Sequence, residues 1–200
     1  MYRVNIILFH KFETLDVFGP VEIFGCLPDE FTMEFYTITG GLIKSTQGVQ
    51  VMTKPIDEGI FEDQILFVPG GAGTRDLVYD DVFVRRIESL SQVSKYTLSV
   101  CTGAAILASS DVLNDRKATT NKRAFEWVAS LNDKVIWNRK ARWVVDGNIY
   151  TSSGVSAGMD MTLGFISDMF GRKTAEDISY RIEYTWHNKK DNDPFSRIEA

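Results

Sequence analysis

Apolar residues along the chain keep two rhythms. Short continuous runs at Val4 to Phe9, Ile65 to Val68 and Tyr96 to Val100 are too brief for buried helices and predict strands covered on both faces. Phe31 to Thr39 and Val49 to Thr53 also read as extended, with Gly40-Gly41 breaking the chain between them. Between these runs the apolar positions take helical spacing: Asp16 to Phe24, Asp81 to Val93, Thr102 to Ser109, Arg123 to Leu131, and Ser156 to Phe170 ending at Gly171. A last helix is predicted over Thr174 to Trp186 from its capping-box-like start. Arg142 to Val145 and Ile149 to Thr151, joined by Asp146-Gly147-Asn148, predict a hairpin. Strands alternating with helices imply an α/β fold, a three-layer sandwich around a mostly parallel sheet. One domain is expected over residues 1–187, with the polar stretch 188–200 as a C-terminal arm.

Composition narrows the function. The 200 residues are 44% hydrophobic and 24% charged, ordinary values for a globular domain of this length. With 22 Lys+Arg against 27 Asp+Glu the formal net charge is −5, which gives no footprint for nucleic acid or an anionic membrane. The start, MYRVNIILF, lacks the basic and long apolar regions of a signal peptide. Two cysteines make no disulfide framework, so a reducing cytoplasm is the expected setting.

In parallel sheets, sites form beyond the carboxyl ends of the strands. Three loops lie there: His10 to Asp16, Pro69 to Thr74, and Cys101-Thr102-Gly103. Cys101 sits between an apolar strand and an Ala-rich helix, like a nucleophile elbow, where helix-end amides favour thiolate and lower a thiol's pKa. A buried small side chain is the alternative. Cys26 has no activating neighbours and reads as structural. Asp16 is either a helix N-cap or an acid/base partner of the thiol, with Glu13 and Glu22 as competing carboxylates. Gly70 and Gly71 offer backbone donors to a developing oxyanion, or form a plain turn. His10 is placed to line the pocket. The two histidines, His10 and His187, lack companion ligands at metal-site spacing, so no metal and no other cofactor is expected.

The segments Thr14-Leu15-Asp16-Val17-Phe18-Gly19-Pro20, Val68-Pro69-Gly70-Gly71, Ser99-Val100-Cys101-Thr102-Gly103-Ala104, Ala118-Thr119-Thr120 and Thr151 to Asp160 resemble the ThiJ/PfpI superfamily of class I glutamine-amidotransferase-like proteins. The resemblance runs from the first strand to the tail. It implies a flavodoxin-like sandwich, a nucleophile at Cys101 and a homodimer. The branch most resembled contains isonitrile hydratase and the amidotransferase-like domain of AraC-type regulators. By motif position it implies Asp16 as acid/base partner and Thr102 as a donor beside the sulfur, acting on a small-molecule substrate by addition of water to an isonitrile. Non-catalytic ligand or redox sensing, or peptidase- or glyoxalase-like hydrolysis, is the alternative within the superfamily. The sequence departs from protease-like members, which carry His where Thr102 stands, and from many relatives with His and Trp where Asn121 and Lys122 stand.

Overall fold

The computed structural model describes residues 1–197. Eight strands form one sheet: β1 (Tyr2–Ile7), β2 (Phe31–Thr37), β3 (Gly41–Lys44), β4 (Gln50–Pro55), β5 (Ile65–Val68), β6 (Tyr96–Ser99), and, near the end of the chain, a hairpin. Two short strands, β7 (Lys117–Ala118) and β8 (Ile136–Trp137), pair apart from it, and the hairpin is β9 (Trp143–Asp146) with β10 (Ile149–Ser152). The order across the sheet is β3-β4-β2-β1-β5-β6-β10-β9, parallel except for the antiparallel pairs at the two edges. The expected three-layer sandwich with a mostly parallel sheet is therefore what the chain adopts.

The central strands carry no polar alternation because both faces are covered. All four residues of β5 are buried, as are the last four of β1. Helices α1 (Thr14–Gly25), α6 (Ala157–Phe170) and α7 (Arg172–Arg181) pack together. Helices α2 (Thr74–Leu77), α3 (Asp81–Val93), α4 (Gly103–Ser109) and α5 (Phe125–Ala129) group around α4. Right-handed crossovers place α1 and α3 on opposite faces, since the chain leaves β1 toward β2 on one side and passes from β5 to β6 on the other. The sheet order reverses between β1 and β5, and their carboxyl ends open the crevice where an α/β fold builds a site.

Several expectations shift. The edge strand β3, the one-turn helix α2 and the β7–β8 pair escape the sequence pattern, each being four residues or shorter. Pro20 sits inside α1, past its first turn. The helix runs on through it at the cost of the backbone bond that a residue 20 amide would give to Asp16. The last helix is α7, which starts earlier than Thr174 and stops at Arg181; Glu183 then takes φ +52° and turns the chain back.

The described part of the tail lies against the body. Arg142 and Trp143 donate their amides to the Lys190 carbonyl, Asp193 donates its amide to the Lys140 carbonyl, and Asp193 is 1% exposed. Beneath it Asp160 accepts Arg142 Nε at 2.8 Å on one oxygen, and Tyr184 Oη at 3.0 Å and the His187 amide at 2.9 Å on the other. Two buried cations, Lys122 and Arg142, face the Asp193 carboxylate at 4.0 and 3.6 Å. Buried charge is tolerated only when compensated, which is why this polar segment is held against the body.

Candidate active site

Cys101 follows β6 by two residues, at a sharp turn. Val100 donates to the Val68 carbonyl and so continues the sheet, Cys101 itself takes φ +57°, and Gly103 begins α4. A side-chain-bearing residue in the left-handed region costs about 1–2 kcal/mol, and here flanking bonds hold it. Its amide donates to the Ser153 carbonyl at 3.1 Å and its carbonyl accepts Thr120 Oγ1 at 2.8 Å. Gly103 is required at this turn because a Cβ there would collide with the Val68 carbonyl.

Cys101 is 5% exposed, and its sulfur lies among three N–H donors: the backbone amides of Thr102 and Val155, and Asn121 Nδ2 at 3.1 Å. Val155 reaches this position at φ +44°, an outlier for a β-branched residue. Asn121, which the sequence marks only as standing where many relatives carry His, lies against the sulfur. Its Oδ1 accepts the amides of Arg123 and Ala124 at 2.9 and 3.2 Å, closing a turn just ahead of α5, and a Cβ at Gly154 would overlap its Nδ2. An asparagine that binds the amides two and three residues on forms a local turn. Only the fold brings that turn to Cys101.

Asp16 is the carboxylate that meets the thiol. It lies in the first turn of α1 and is fully buried; the cap position is Glu13, so capping is not its role. Oδ2 accepts the Gly70 amide at 2.9 Å, and among the described residues Oδ1 has no hydrogen-bond partner of good geometry. Burial is the main cause that pushes the Asp16 carboxyl up to about 7, opposed by the Gly70 amide and the Cys101 thiol and reinforced by the charge of Glu13. The Cys101 thiol is pushed up as well, by burial first and then by the negative charge of Asp16, against the three donors. The sequence led us to expect a depressed thiol. The structure reverses this because α4 is only seven residues long and desolvation beside a carboxylate outweighs its amides. Burial thus disfavours both charged forms, and the carboxyl, raised to about 7, gives up its proton before the thiol does.

The remaining candidates are distributed around this pair. Glu13 donates its amide to the Gly70 carbonyl, while its side chain accepts Gln47 Nε2 at 2.7 Å. Glu22 is exposed near the other end of α1, where its charge acts on Cys26 rather than Cys101. The Gly70 and Gly71 amides do not face open space: the first is bound to Asp16 and the second donates to Thr102 Oγ1 at 3.0 Å. Thr74 Oγ1, which donates to the Gly71 carbonyl at 2.8 Å, lies 3.1 Å from the same Thr102 hydroxyl. The Thr102 side chain thus braces the glycine loop, and its amide is what faces the sulfur. His10 is exposed and lines a groove of about 400 Å³ with Lys11, Ile38, Leu42 and Asp76, whose walls include neither Cys101 nor Asp16. Arg75 stacks over Trp127 at 3.9 Å and joins α2 to α5.

Comparison with known proteins agrees with this geometry. The profile of the DJ-1/PfpI family matches residues 2–168. Isonitrile hydratase of Pseudomonas putida is 29% identical over 186 residues, covering 91% of this chain and 78% of that protein. Among solved structures, a ThiJ/PfpI family protein from Pseudomonas syringae superposes with a TM-score of 0.83 at 25% identity, covering 96% of this chain and 76% of that one. An AraC family transcriptional regulator from Pseudomonas putida superposes with a TM-score of 0.77 at 16% identity, over 91% of this chain and 100% of that one. The last shows a shared fold alone. Among the described residues no helix is long and apolar enough to cross a membrane.

Proposed function

This chain is a member of the DJ-1/PfpI family, and from that premise we propose that it is a cysteine-dependent hydro-lyase that adds water to an isonitrile to give an N-substituted formamide. The observation that carries the reading is the buried Asp16 carboxyl, fixed through Oδ2 by the Gly70 amide, close enough to the Cys101 thiol for each to shift the other, and with Oδ1 taken by no hydrogen bond among the described residues. Similarity to isonitrile hydratase over nine-tenths of the chain supports the substrate class.

The chemistry needs one proton carrier and one nucleophile. Asp16 as carboxylate takes the thiol proton while the Cys101 sulfur adds to the terminal carbon of R–NC. The same proton is then given to that carbon, leaving a thioimidate, R–N=CH–S–Cys101. Asp16, again a carboxylate, takes a proton from water as its oxygen adds to the thioimidate carbon, and returns it to nitrogen. Collapse breaks the C–S bond, the hydroxyl proton returns to the sulfur, and R–NH–CHO leaves. A pKa near 7 suits Asp16 to both halves, because acid and base forms are then each populated near neutrality. The proposal includes a homodimer in a cytoplasmic setting.

The test is incubation of the purified protein with alkyl and aryl isonitriles while formamide is followed. Formamide should form, Cys101→Ser should abolish it, and Asp16→Asn should slow it about 100-fold or more. No formamide from any isonitrile, together with ready oxidation of Cys101 by mild peroxide, would replace this reading with a redox-sensing one.

A further inference from the structure

We propose that Asn121 is a catalytic residue, the side-chain donor that holds negative charge on the Cys101 sulfur when the thiol proton passes to Asp16. The inference rests on Cys101 being the reacting group, as in the proposed function, and not on which electrophile it attacks.

The geometry leaves the amide one orientation. Asn121 Oδ1 accepts two amides, from Arg123 and Ala124, so its oxygen end is committed to the turn ahead of α5. Rotating the amide by half a turn would set N–H groups against N–H groups and lose both bonds. The NH₂ end must therefore face Cys101 Sγ, where it sits at 3.1 Å. The adjoining backbone is fixed on both sides. Thr120 Oγ1 donates to the Cys101 carbonyl, and Lys122 Nζ donates to Thr119 Oγ1 and the Ala141 carbonyl at 2.7 Å each. Space for the amide exists because residue 154 is glycine.

The surroundings give this donor its value. From α1 the sulfur faces Asp16, whose charge opposes charge on sulfur, and Glu13 acts in turn on Asp16. The Thr102 and Val155 amides favour that charge, and the buried ammonium of Lys122, one residue beyond Asn121, is turned to its oxygen ligands and to Asp193. A carboxamide does not titrate. Asn121 therefore offers the same N–H to sulfur at every pH, and its hydrogen bond strengthens as the sulfur becomes anionic.

The experiment follows alkylation of Cys101 by iodoacetamide between pH 5 and 10, read by mass on the Cys101 peptide so that Cys26 does not contribute. In this step sulfur bonds to the methylene carbon, iodide leaves, and the thiol proton goes to Asp16 or solvent. Two variants keep a side-chain oxygen for the turn and lose the Nδ2 donor: Asn121→Ser, and Asn121→Asp, which sets a carboxylate oxygen where Nδ2 was. At pH 7 Asn121→Ser should react about tenfold more slowly, the worth of one hydrogen bond to a charged group, and Asn121→Asp more slowly still. The inflection of both profiles should move to higher pH. Wild-type rates and profiles in both variants would overturn the inference. Slower rates with an unmoved inflection would also overturn it, leaving Asn121 a turn-forming residue only. No isonitrile enters this measurement, so a shifted profile in a protein that hydrates no isonitrile would refute the substrate assignment and uphold the role of Asn121.

Discussion

The Gly70 amide donates to Asp16 Oδ2 at 2.9 Å, across 54 residues of sequence, and joins the loop after β5 to the first turn of α1. Through this bond the strand order becomes chemistry: β1 and β5 are neighbours, so the residues that follow them meet, and the carboxyl is held beside the sulfur delivered by β6. Gly70 is also the residue that lets Thr102 approach. A Cβ at position 70 would lie 2.6 Å from the Thr102 amide nitrogen and 2.9 Å from Asp16 Oδ2.

Gly70→Ala should therefore act on the site more than on the fold. The backbone of Thr102 cannot rotate away as a side-chain end would, so the carboxyl and the turn must both shift. The expected cost is about 1–3 kcal/mol in urea unfolding, as for other overpacked sites. Loss of formamide production should exceed about tenfold, because a displaced catalytic group loses its productive geometry.

Asp16→Asn should stabilise the protein, and the gain should depend on pH. The folded carboxyl is raised to about 7 from an ordinary 3.8, so the folded state binds a proton that the unfolded chain has released between those values. The stability this proton supplies is fully present below the ordinary value and is lost as pH rises through about 7. Thermal unfolding of wild type and variant should accordingly nearly coincide at pH 4. By pH 8 the variant should melt several degrees higher, as removal of a costly buried charge of a few kcal/mol implies.

Asp193→Ala should unfold the tail's attachment and weaken the whole domain. Lys122 is 3% exposed, and burial lowers its ammonium to about 8 while Asp193 supports the charged form. Removing the carboxylate leaves Lys122 and Arg142 uncompensated, which costs about 3–5 kcal/mol for a broken buried pair. Chemical unfolding should show a larger loss at pH 7 than at pH 10, where Lys122 is neutral in both proteins and only the Arg142 share remains.

Much of this arrangement is legible in the sequence where the cause is local. The apolar runs of β1, β5 and β6 mark strands buried on both faces, and each is followed by a loop whose composition no regular element continues. That places Asp16, Gly70 and Cys101 on one edge once the sheet is taken as parallel. What stays hidden has non-local causes. Whether Asp16, Glu13 or Glu22 faces the thiol depends on the turn of α1 against the β5 loop. The direction of the thiol's shift depends on its burial beside Asp16. Asn121 is joined to Cys101 only through the fold, and Lys122 and Arg142 look like solvated cations until the tail is seen to lie over them. Hence Asp193, in a run as polar as Lys189-Lys190-Asp191-Asn192, reads as an arm.

The account turns on Asp16 keeping its proton far above the ordinary carboxylate range while it faces Cys101, and a ¹³C NMR titration of the aspartate side-chain carboxyls, assigned with Asp16→Asn, observes that directly. The account predicts an Asp16 inflection near pH 7. An Asp16 carboxyl that titrates near pH 4 with the exposed aspartates would contradict it.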